Sequence, residues 1–194
     1  MPIKHIIQHL LNTDEKVIYL KKRIPNFDVT RIEVEEKCSY DMKFQALTVE
    51  YDRLNWFGKL GLNVSILENL GYSKTNGIVF CENWVESEEN LIRKLLIHEL
   101  VHLYDMEVRK MNLKVVDDLM KSELRAYDFC GQCDNFKTED LKANCLSSWV
   151  FASLKTVQHN QVDGYNKKHI EDTYLKTRKE LMKDLENNHG EFSK

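Results

Sequence analysis

An α+β fold is predicted for this 194-residue chain, and three features of the sequence predict it. Between Arg31 and about residue 85, apolar residues alternate with charged or β-branched ones, the period of half-buried strands. From about residue 87 onward apolar positions recur at three- and four-residue spacing, the period of helices packed on a core. With two prolines and seven glycines the chain shows no linker, repeat or low-complexity tract, so residues 1–194 read as one domain.

The elements follow in order. Residues 1–23 read as an amphipathic helix, with Ile3, Ile6, Ile7, Leu10 and Leu11 on one stripe. Such a stripe docks on the chain's own core, or serves as a membrane-surface or partner-binding helix. The same stretch is not a secretory signal, because His5, Gln8 and His9 interrupt its apolar run. It lacks the arginine and serine of a transit peptide. Residues 31–85 are the strand-rich part: "RIEVEE", "FQALTVEY", "LNVSIL" and "GIVFCENW" suit strands. Residues 87–194 are helical. Ser87 is placed to cap the first helix, with Glu88 and Glu89 at its positive end. Leu91, Leu95, His98 and His102 share a face. A second helix is expected from Leu113 to Phe129, with Gly131 as its stop and Val116, Leu119, Met120 and Tyr127 on its apolar side. A last helix, Lys168 to Glu186, carries Ile170, Tyr174, Leu181 and Leu185 on one side.

The first of these helices contains His98-Glu99-Leu100-Val101-His102, an HExxH motif. Residues i and i+4 stack on one helix face, so the two imidazoles can grip a single zinc ion. Glu99 lies about 100° around the helix from His98. It is placed to take a proton from the attacking water and return it to the leaving amine. A catalytic zinc needs a third protein ligand. The HExxHxxGxxH class is excluded, since Asp105 and Val108 occupy its glycine and third-histidine positions. Glu123 is the preferred candidate: it lies 21 residues after His102 and interrupts an apolar stripe. Asp117 or Asp118 is the alternative, and Arg125 or Arg109 would be a non-metal partner for Glu123. Asp105 is expected to orient a ligand histidine or cap the helix, and His159 and His169 to lie at the surface. The motif and the helix order together describe a zincin-like metalloprotease fold. The strand near Gly77–Glu82 is a candidate edge for an extended substrate.

Five cysteines cannot all pair internally. Cys130 and Cys133 form a CxxC, but it follows a helix, whereas redox dithiols open one after a strand. Structural disulfides or free thiols are expected, and a Cys133–Cys145 bridge would close the loop after the glutamate helix. The net charge of −3 makes no case for nucleic acid, and no apolar run is long enough to span a bilayer.

The stretch from "GIVFCENW" through "HELVHLYD" to "SELRAYDFCGQC" resembles the mitochondrial ATP synthase assembly metalloproteases, also described as Ku-binding proteins in animals. The likeness rests on Cys81 before the HExxH helix, Asp105 three residues beyond it, and Ser122-Glu123-Leu124-Arg125-Ala126. Cysteines at the places of Cys133 and Cys145 complete it. Glu107 and Lys121 stand where that family carries further cysteines, and "LSSWVFAS" replaces a basic cluster, so the resemblance implies a divergent member. It implies a zinc-dependent endopeptidase, peripheral on the intermembrane-space side of the mitochondrial inner membrane. Such a protein processes a membrane-protein precursor, an ATP synthase membrane-sector subunit, and assists ATP synthase assembly. The alternative is a non-proteolytic assembly factor, or a stable subunit of a larger complex, that retains an HExxH site.

Overall fold

A computed structural model describes residues 2–35, 46–51, 75–81, 88–157 and 165–186. These fall into two compact units, residues 1–103 and 104–194, each taken by itself below.

The first unit begins with two helices in place of the single one expected: α1 (Ile3–Thr13) and α2 (Glu15–Arg23). Asp14 makes the break. Its backbone is extended, and its carboxylate accepts from Val17 N at 3.0 Å, the N-cap bond of α2. Lys21 Nζ donates to Leu11 O at 2.6 Å, serving one of the carbonyls that α1 leaves without a helical partner. The predicted apolar stripe is buried in full, which favours the docked reading of the helix. After a short 3₁₀ turn come β1 (Ile32–Glu35), β2 (Ala46–Tyr51) and β3 (Thr75–Cys81). They form a mixed three-stranded sheet in the order β1-β3-β2, parallel between β1 and β3 and antiparallel between β2 and β3. Ile78, Val79 and Phe80 are all buried, as a strand covered on both faces requires. This placement corrects the expected substrate edge: Ile78–Cys81 pairs with β1 on one side and Ile78–Phe80 with β2 on the other, so those backbone groups are already used. "LNVSIL" and Ser87 lie outside the described residues.

Helix α3 (Glu89–Glu107) carries the HExxH turn. Its deepest residues are Ile92, Leu96, Ile97, Leu100 and Val101. Leu91 and Leu95, expected on the core face, are half-buried. Arg93 Nε donates to Asp14 at 2.6 Å, so the residue that breaks the N-terminal helix also ties it to α3.

The second unit holds the end of α3, then α4 (Val116–Phe129), α5 (Glu139–Val157) and α6 (Lys167–Glu186), and the three later helices pack on one another. Leu119, Met120 and Leu124 of α4 meet a core built from Ala143, Leu146, Val150 and Leu154 of α5 and from Ile170, Tyr174, Leu181 and Leu185 of α6. Tyr127, expected on the apolar side of α4, is half-buried. Helix α4 stops as predicted. Gly131 takes φ +79°, Gly131 N reaches Asp128 O at 3.1 Å and Gln132 N reaches Tyr127 O at 3.1 Å, the paired bonds of a Schellman cap. A Cβ at residue 131 would also sit 2.6 Å from Asp134 Oδ2.

Candidate metal centre

The site grows out of the middle of α3, where every residue from Leu96 to Asp105 is buried. Helical spacing stacks His98 and His102, and their Nε2 atoms lie 3.0 Å apart with the rings edge to face. Two Zn–N bonds of about 2.0–2.1 Å at a tetrahedral angle would separate the nitrogens by about 3.3 Å, so the pair is close to the spacing that one ion imposes. Glu99 is buried beside them, on the next strip of the helix.

Glu123 sits on α4 and is 4% exposed. Its Oε1 accepts from Ser153 Oγ on α5 at 2.6 Å. One ligand atom each from His98, His102 and Glu123 lie within 4.8 Å of one another. Two neutral nitrogen donors and one carboxylate form a donor set that suits zinc, so the residues fit such an ion.

Asp105 does something other than expected. It accepts from Ser122 Oγ at 2.8 Å and from Arg125 Nε at 2.9 and 3.1 Å, and both side chains of the ion pair are fully buried. Arg125 also donates to both carboxylate oxygens of Asp184, at 2.8 and 3.1 Å, and to Leu181 O. The aspartate thus anchors α4 and, through Arg125, α6, and it does not orient a histidine. Burial pushes the Asp105 carboxyl up to about 6 against the opposing pull of Arg125 and Ser122. Burial works to raise Asp184 too, but the hydrogen bonds and charge of Arg125, with Arg109, outweigh it and hold that carboxyl below its ordinary value. The arginines suggested as partners of Glu123 are therefore engaged elsewhere, Arg125 as above and Arg109 with Leu181 O and Asp184.

The sequence profile of the Peptidase M76 family matches residues 3–178, which include the HExxH turn, Asp105 and the Ser-Glu-x-Arg segment. The chain belongs to the Peptidase M76 family.

Among its relatives is the mitochondrial inner membrane protease ATP23 of Candida albicans, 25% identical over 63% of this chain and 57% of that protein. The protein of the same name from Debaryomyces hansenii is 35% identical over 34% of this chain and 28% of that protein. The chain therefore spans little more than half the length of the first relative and less of the second. No solved structure matches.

In this M76 chain the remaining candidates lie apart from the metal group. Asp117 accepts from the Tyr165 hydroxyl, and Asp118 accepts from Asn112 N at 2.9 Å; both belong to the first turn of α4. His169 is exposed, and His159 lies outside the described residues. Cys133 is bonded to Cys145, while Cys130 keeps a buried thiol, so "CGQC" is not a dithiol pair. Cys38 and the Cys81 side chain lie outside the described part. Sequence reasoning passed over Ser153. A serine in "LSSWVFAS" carries no chemical signature, and only the packing of α5 on α4 brings its hydroxyl to Glu123.

Proposed function

We propose that this chain is a zinc metalloendopeptidase with a zincin-like catalytic half. The observation that carries the reading is the buried His98–His102 pair, spaced for one ion, with the Glu123 carboxylate grouped beside it. His98, His102 and Glu123 would hold the ion, and Glu99 would be the general base and acid. When bound, zinc supplies Lewis acidity, which lowers the pKa of a coordinated water toward about 7 and polarises a peptide carbonyl. Glu99 takes the proton of the attacking water as the new C–O bond forms, and then passes it to the amine nitrogen as the peptide C–N bond breaks.

The substrate proposed is an exposed peptide segment of a mitochondrial membrane-protein precursor, an ATP synthase membrane-sector subunit. Assistance of ATP synthase assembly is the accompanying role. Family membership and the relatives' description as mitochondrial inner membrane proteases support this reading. Peripheral attachment on the intermembrane-space side is proposed with it; among the described residues no helix is long and apolar enough to cross a membrane.

Glu99→Gln tests the proposal. Precursor cleavage should fall by at least 10²- to 10⁴-fold, the usual share of a general base, while bound zinc stays equimolar. Complex assembly that persists in this variant would separate the two roles. Wild-type protein that holds zinc yet never cleaves the precursor would leave the non-proteolytic assembly factor as the reading.

A further inference from the structure

The geometry assigns Ser153 as a positioning residue for the Glu123 carboxylate, an inference that rests on Glu123 being the third metal ligand. Helix α5 contains three serines whose hydroxyls behave differently. Ser147 and Ser148 both donate to Asn144 O on their own helix, at 2.9 Å, the usual outlet for a serine within a helix. Ser153 instead donates across to α4, to Glu123 Oε1 at 2.6 Å. That length is typical of a hydroxyl on a charged carboxylate, roughly twice as strong as a neutral pair.

The local anchoring explains what this bond does. On α4, Ser122 and Arg125 flank Glu123 and are both fixed to Asp105, so the backbone that bears the glutamate has little freedom. The start of α5 is held by the Cys133–Cys145 bridge, and Leu146, Val150 and Leu154 seat the helix in the core. The hydrogen bond from the Ser153 hydroxyl then restrains the glutamate's own torsions. A carboxylate held in one rotamer loses less entropy on ligation than a mobile one.

Metal affinity of the full-length chain, by zinc competition against a chelator, tests this together with the visible absorption of the cobalt(II)-substituted protein. Ser153→Ala should weaken zinc about 10- to 100-fold and alter the cobalt spectrum, with the far-ultraviolet circular dichroism unchanged. Ser153→Thr, which restores the hydroxyl, should stay near wild type. Ser153→Val, its near-isostere without one, should behave as the alanine variant, and this pair carries the test if alanine disturbs folding. In a Glu123→Ala background, removal of the Ser153 hydroxyl should have no further effect. Wild-type affinity and spectrum in Ser153→Val, beside a Glu123→Ala variant that loses metal, would overturn the role of Ser153 alone. Wild-type affinity in Glu123→Ala would overturn the ligand assignment and this inference with it.

Discussion

Arg125 shows how one buried side chain organises its surroundings. Its guanidinium meets Asp105 on one edge and Asp184 on the other, with no solvent contact of its own. Removing one partner of such a pair leaves a buried charge uncompensated, which costs about 3–5 kcal/mol. Arg125→Ala should therefore lower the free energy of urea unfolding by that amount, and a change below about 1 kcal/mol would contradict the description of the pair as fully desolvated. Asp105 adds a pH dependence whose sign follows from its raised pKa. Folding raises its carboxyl from the ordinary 3.8 to about 6. Its contribution to stability is thus complete below the lower value and is lost as pH rises through the upper one. In metal-free protein, the stability of wild type relative to Asp105→Asn should fall between pH 4 and pH 7; a flat difference would rule out the shift. The residue scale also divides what a sequence discloses. The pairing of His98 with His102 was legible because residues four apart stack on one helix face. The grouping of Glu123 with them was legible because a carboxylate on an apolar stripe needs a partner. The partner of Asp105 was not, because an aspartate one turn past a histidine faces several neighbours, and only the packing of α4 selects Ser122 and Arg125.

At the scale of elements, periodicity located the helices and local chemistry decided their ends. Gly131 stopped α4 where expected, because a left-handed residue after a helix has a recognisable side-chain requirement. The division of the N-terminal helix at Asp14 was missed, because an apolar stripe runs on regardless of an extended residue beside it, and the cap at Val17 N is what breaks the helix. The sheet order was hidden for a different reason. "GIVFCENW" reads as a strand from its own residues, but whether it lies at an edge depends on pairing with β1 and β2, which are distant in sequence. The Cys133–Cys145 bridge closes a segment of 12 residues' separation between α4 and α5. Loop-closure entropy gives such a bridge about 3 kcal/mol. Cys145→Ser should lower unfolding free energy by roughly this much under non-reducing conditions, and wild type should lose the same amount on reduction. Equal stabilities with and without reductant would show that the bridge adds nothing.

For the molecule as a whole, the described elements are α+β, with strands before the site helix and helices after it, as the sequence predicted. The family assignment was legible because HExxH, Asp105 and Ser-Glu-x-Arg-Ala stand together in this one sequence. The physical meaning of that spacing was not: it combines a candidate ligand, Glu123, with the two residues, Ser122 and Arg125, that anchor its helix. The central claim is that a single ion is held by two imidazoles and one carboxylate, and metal analysis of the purified chain tests it most directly. Wild type should carry one equivalent of zinc, and His102→Ala and Glu123→Ala should each lose it while remaining folded. Zinc absent from wild-type protein supplied with it, or retained at one equivalent in His102→Ala, would contradict the account.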